Sequence, residues 1–129
     1  MAAIKLLIDT DIIIDALKGI KPAKELFRSK DVVLYCSILT KKELLSKAGL
    51  ADSERKRIIT LLEEIKVLKI DDAVMKKFEL LIAKYGERPG ALADYVIAAT
   101  AWAKKLPLLT RNKKHFELIK EIKLGPVYL

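Results

Sequence analysis

One cysteine and one histidine in 129 residues, Cys36 and His115, remove several chemistries at once. A single thiol forms no internal disulfide, which suits a reducing cytoplasm. Zinc centres built from several His or Cys ligands are excluded. A Ser-His-Asp or Cys-His device would have to be built on His115. No stretch approaches the ~20 apolar residues that cross a bilayer, so no membrane partner is expected. The opening MAAIKLLIDTD lacks a basic leader segment and meets acid too soon for a signal peptide. What remains for a metal is oxygen, and that points to Mg²⁺ or Mn²⁺.

The chain is 52% apolar and 33% charged, which describes one soluble globular domain over residues 1–129. Lys and Arg number 25 against 17 Asp and Glu, a net charge of +8. An excess of that sign favours a polyanionic partner such as nucleic acid.

Ile4–Ile8 is an apolar run that leads straight into Asp9-Thr10-Asp11, and it predicts a buried strand of a parallel sheet. Residues 11–18 predict a helix ended by Gly19, and Pro22 opens a second helix to about Ser29. Asp31–Cys36 predicts a strand ending at Ser37. Thr40–Ala48 predicts a helix stopped by Gly49, and Asp52 or Ser53 caps the next, with Ile58, Ile59, Leu62 and Ile65 as its apolar stripe. Val67–Ile70 is a short strand. From Asp71 or Asp72 to Tyr85 the spacing of Val74, Phe78, Leu81, Ile82 and Tyr85 is helical. GERPG breaks the chain at 86–90. Ala91–Ala103 carries one charge in thirteen residues and predicts a buried helix. Pro107–Thr110 is a strand, followed by a polar turn, a last helical turn and an edge segment near Val127–Leu129. Strands alternating with helices predict an α/β fold, a three-layer α/β/α sandwich with a mostly parallel central sheet. Trp102 and Cys36 are assigned to its core.

Asp94 is the most informative residue. Ala91, Ala98 and Ala101 share its helix face, so the carboxylate is confined, and it needs a metal, a cation such as Arg88, or a proton. Asp9 and Asp11 end the first strand at the carboxyl edge, where open α/β sheets place ligands. Asp9 is also an ordinary N-cap. Asp15, one turn beyond Asp11, reads as a solvated acid or a partner of Lys18. Glu43 completes a capping-box pattern with Thr40, yet its helix starts at the same edge as Asp9. Thr110 and Asn112 end the last internal strand; they can orient a water at a metal or serve as turn residues. Arg111, Lys113, Lys114 and His115 form a basic turn there, which beside an acidic metal site becomes a phosphate-binding rim.

The order Ile8-Asp9-Thr10-Asp11, then Glu43-Leu44-Leu45 after a serine-ended strand, then Ala93-Asp94-Tyr95-Val96-Ile97-Ala98-Ala99-Thr100-Ala101, then Leu108-Leu109-Thr110-Arg111-Asn112-Lys113-Lys114-His115-Phe116 resembles the PIN domain. Within it, the closest resemblance is to the VapC ribonuclease toxins of toxin–antitoxin pairs, over about residues 4–116. The resemblance implies a Mg²⁺- or Mn²⁺-dependent endoribonuclease whose metal is held by Asp9, Glu43 and Asp94, supported by Thr10, Asp11 and Thr110. It also implies an RNA substrate, a cognate antitoxin and a homodimer. Two positions depart from the family pattern: Asp11 stands where Asn is common, and Asn112 stands at a fourth, usually acidic, catalytic position. One tightly held ion is therefore expected.

Two alternatives follow from the same residues. Asp9-Thr10-Asp11 also has the form of a haloacid-dehalogenase-type phosphatase, with Mg²⁺ held by Asp71 and Asp72. A PIN-like RNA-processing or non-catalytic binding module is the other, favoured by the missing fourth acid.

Overall fold

The computed structural model describes residues 3–126. Four strands, β1 (Ile4–Ile8), β2 (Val32–Ser37), β3 (Lys66–Leu68) and β4 (Leu108–Leu109), form one sheet in the order β3-β2-β1-β4, and every pairing is parallel. Seven helices accompany them among the described residues: α1 (Thr10–Leu17), α2 (Lys21–Arg28), α3 (Ile38–Leu45), α4 (Asp52–Leu62), α5 (Asp72–Tyr85), α6 (Ala91–Lys104) and α7 (Lys113–Phe116). The expected Val127–Leu129 edge segment lies outside the described residues. Within them, Leu124 makes one parallel bridge to Leu108.

Successive side chains of a strand face opposite ways, and here each face meets its own core. Leu7 and Leu108 join Val74, Leu81, Tyr95, Ala98 and Phe116 under α5, α6 and α7. Ile8 and Leu109 join Ile12, Ile13, Leu44, Ile58 and Leu62 under α1, α3 and α4. Both faces are covered, so the fold is the three-layer α/β/α sandwich expected.

Local chemistry sets the boundaries, and it corrects several of them. Ser37 caps α3 by accepting from the Leu39 N–H at 3.1 Å, so that helix opens at Ile38, two residues before Thr40, and ends at Leu45. Thr40 is then fully buried inside the helix, and the expected Thr40–Glu43 capping box does not form. Ala51, with no side-chain bond, precedes α4 in place of Asp52 or Ser53. Asp71 does cap α5, accepting from the Val74 N–H. Trp102 is half-buried, with Lys77 Nζ 4.3 Å above its ring, whereas Cys36 is fully buried as expected.

The chain adds β2 and β3 on one side of β1 and returns to place β4 on the other. The gap between β1 and β4 is therefore the switch point of the sheet, where ligands bind outside the strand ends. Asp9 and Thr110 follow those two strands directly.

Candidate active site

At the switch point Asp9 is 7% exposed and held from two sides. Its Oδ1 accepts from the Thr10 N–H at 2.8 Å, and its Oδ2 accepts from Thr110 Oγ1 at 2.8 Å. Burial pushes its carboxyl above the ordinary value; those two hydrogen bonds oppose the shift and the charge of Asp94 adds to it. Asp9 thus fills the N-cap role and also reaches into the site.

Asp11 Oδ2 accepts from the Arg111 N–H at 2.9 Å. Its Oδ1 is buried with no hydrogen-bond partner. Burial, and then the neighbouring charge of Asp9, raise this carboxyl too. A buried carboxylate oxygen without a partner, on a group already raised by the charge of Asp9, calls for a cation or a proton.

Asp94 lies in the first turn of α6, which opens on Gly90 in the left-handed conformation with φ 77°. Ala91, Ala98 and Ala101 are buried beside it, as the small-residue stripe requires. Its Oδ2 is 3.2 Å from His115 Nδ1. Burial raises Asp94 more than His115 and Arg88 lower it. Arg88 itself reaches Tyr95 Oη at 3.4 Å. Glu43 projects from the exposed side of α3, and its carboxyl is raised by partial burial and then by the charges of Asp9 and Asp94. The charge of Asp94 therefore reaches Asp9, and the charges of both reach Glu43, although the three come from the end of β1, from α3 and from α6.

Those carboxylates are not drawn into a closed cage. Among the described residues no three His, Cys, Asp or Glu side chains stand close enough to grip an ion as a set. Asp9 is engaged by Thr10 and Thr110, Asp11 by Arg111, and Asp94 by His115. The donor chemistry nonetheless fits a hard divalent cation: all oxygen, one oxygen orphaned, and every acid destabilised by burial or by its neighbours.

The supporting residues are partly where the sequence put them. Thr110 is buried, and besides donating to Asp9 it accepts from the Asn112 N–H at 3.0 Å. Asn112 takes part through that backbone bond, while its side chain is exposed. Thr10 Oγ1 lies 3.4 Å from Thr40 Oγ1, a partner that sequence reasoning missed. Lys113 and Lys114 are exposed on α7, and Lys114 lines a cleft of about 310 Å³ with Arg88, Asp94 and His115. Arg111 differs. Its guanidinium is turned onto Asp15, which is 5% exposed and so not a solvated acid.

The model of the PIN domain family matches residues 6–121. The chain belongs to the PIN domain family. Its PIN domain is 30% identical over 122 residues to a ribonuclease, VapC10 of Mycobacterium tuberculosis, covering 92% of this chain and 90% of that protein. It is 31% identical over 123 residues to ribonuclease VapC1 of Methanocaldococcus jannaschii, covering 93% and 85%. Among solved structures, a toxin–antitoxin complex from Klebsiella pneumoniae contains a chain with TM-score 0.75 and 26% identity, covering 95% of this PIN domain and 99% of that chain.

These findings overturn the phosphatase alternative. Asp71, its required metal ligand, caps α5 and is salt-bridged to Lys104 in the last turn of α6. Lys104 is ten residues beyond Asp94, about 15 Å along the helix at 1.5 Å per residue. The hydrogen bond from Lys104 holds the Asp71 carboxyl below the ordinary range, the opposite of the acids at the switch point.

Proposed function

We propose that this PIN domain is a metal-dependent endoribonuclease that hydrolyses RNA phosphodiester bonds, acting in the cytoplasm as the toxin of a toxin–antitoxin pair. One observation carries the reading: Asp9, Glu43 and Asp94 come from three separate elements to the switch point of the sheet, where the charge of Asp94 raises Asp9 and the charges of both raise Glu43. Its ribonuclease relatives and its likeness to a chain of a toxin–antitoxin complex support the substrate and the antitoxin partner. A homodimer is part of the same proposal.

Asp9, Glu43 and Asp94 are the residues that would hold Mg²⁺ or Mn²⁺, with Asp11 Oδ1 as a further oxygen. When bound, such an ion supplies Lewis acidity at phosphate and a more acidic water. The protein's own groups do the rest. Thr110 and Thr10 fix the two oxygens of Asp9, so that its orientation does not depend on substrate. Glu43, the most open of the three acids, has a raised carboxyl suited to taking a proton from the attacking water. Asn112, exposed beside Thr110, is the residue that would orient that water. Lys113 and Lys114 draw the phosphate backbone towards a centre whose carboxylates otherwise repel it.

The test is incubation of total RNA with the protein and Mn²⁺, with and without chelator, beside the Asp94→Asn variant. Cleavage is expected with Mn²⁺ alone, and a loss of more than ~100-fold in the variant, beyond the ~10–100-fold typical of residues that only support a metal site. Full activity in folded Asp94→Asn removes the assignment.

A further inference from the structure

Arg111 stands where a substrate contact is expected, yet its bonds are internal. Its Nε lies 2.8 Å from Asp15 Oδ2 and its Nη2 lies 3.1 Å from Asp15 Oδ1. Its backbone N–H donates to Asp11 Oδ2 at 2.9 Å. Asp11 and Asp15 are one turn apart on α1, so a single residue is gripped by side chain and by main chain from one helix. The neighbours of Arg111 are fastened as well. Thr110 Oγ1 donates to Asp9 at 2.8 Å and accepts from the Asn112 N–H at 3.0 Å.

We propose that Asp15 and Arg111 are positioning residues: their two-pronged ion pair clamps the turn after β4 onto α1 and so sets the Thr110 hydroxyl against Asp9. This rests on the nuclease reading above. Asp15 is buried, so RNA never meets it directly. The planar guanidinium fork is what the geometry uses, and a lysine cannot reproduce it. A phosphate contact would behave differently, because an ammonium binds phosphate as a point charge.

The experiment compares Asp15→Asn, Arg111→Lys and the double variant with wild type in steady-state RNA cleavage, Mn²⁺ calorimetry, salt dependence of RNA binding, thermal melting, and hydrogen exchange of the Arg111 and Asn112 amides. The clamp predicts about 10-fold lower kcat and about 10-fold weaker Mn²⁺ binding in each single variant, within the range typical of groups behind a metal site. KM and the salt slope stay at wild-type values, the double variant is no worse than either single one, and both amides exchange faster. Arg111→Lys with wild-type kcat overturns the proposal. So does a salt slope reduced by about one charge with Asp15→Asn unaffected, which marks a phosphate contact. Lower melting temperature with unchanged kcat and Mn²⁺ affinity also overturns it. If Asp15→Asn does not fold, Arg111→Lys alone decides. If wild type neither cleaves RNA nor binds Mn²⁺, the nuclease reading falls while amide exchange still judges the clamp: acceleration supports it, no change refutes it.

Discussion

Thr110 Oγ1 donates to Asp9 Oδ2 across 2.8 Å and 101 positions of sequence. That one bond joins the ends of β1 and β4 at the place where the sheet changes direction, and it aims an acid that is otherwise disfavoured by its own burial.

Replacing Thr110 by Val keeps the shape and removes both the donor to Asp9 and the acceptor for Asn112. A buried polar group left unsatisfied costs about 1–3 kcal/mol, so the melting temperature falls. Cleavage falls by about 10–100-fold, the range for groups that orient metal ligands. Thr110→Ser, which keeps the hydroxyl, restores most of both. RNA cleavage and thermal melting of the pair, side by side, check this.

Glu43→Gln separates function from stability. The Glu43 carboxyl is raised, so the folded chain binds its proton more tightly than the unfolded chain does. The stability penalty is absent below the ordinary carboxylate value, grows as pH rises through the raised folded value, and stays in force above it. Metal-free Glu43→Gln is therefore more stable than wild type at neutral pH, and the gap closes towards acid. Mn²⁺ stabilises wild type more than the variant. Melting curves across pH with EDTA or Mn²⁺ test the sign; a variant less stable than wild type at neutral pH contradicts it.

Glu121 runs the other way. Burial alone would raise its carboxyl, but hydrogen bonds from Lys84 at 2.7 Å and Tyr85 Oη at 2.7 Å outweigh that and hold it low. Its contribution is present above the unfolded value and is lost as pH falls through the lowered folded one. Tyr85→Phe removes the bond to Glu121 and the one its hydroxyl accepts from the Lys120 N–H at 3.1 Å, each worth about 1 kcal/mol at neutral pH. Urea denaturation of Glu121→Gln and wild type should differ at neutral pH and converge in acid.

The Cys36 thiol, fully buried, is pushed up to about 11 by burial. Thiolate is the reactive form, so a thiol reagent at neutral pH should leave the native protein untouched and label it fully in denaturant. Rapid labelling of native protein would show that β2 opens readily from the sheet.

Wherever a single local rule decides an element, it could be read directly from the letters. The Ile4–Ile8 run, the periodic stripe of α5 and the one-charge stretch of α6 depend only on neighbours in sequence, and each was found at nearly its expected bounds. The start of α3 was not, because Ser37 and Thr40 are both good caps and only the end of β2 selects between them. Asp94 was legible as the one charge of an apolar helix and Asp9 as the acid closing an apolar strand, whereas Glu43, beside Lys41 and Lys42, was legible only from the sheet edge at which its helix starts. Their partners were not. Thr40 meeting Thr10, His115 meeting Asp94 and Arg111 turning onto Asp15 each depend on which strand lies beside which. The i, i+4 spacing of Asp11 and Asp15 was the available signal for the last of these, and it named no partner.

Because β4 docks on the free flank of the first strand made, a nascent polypeptide holds Asp9 and Glu43 well before it has the wall that orients Asp9. Until Thr110 and Arg111 have emerged and settled, the cleft has one side missing. Synthesis and armament are thereby separated in time: an RNA-cutting protein born on a ribosome would stay harmless to its own message until its last strand slots in.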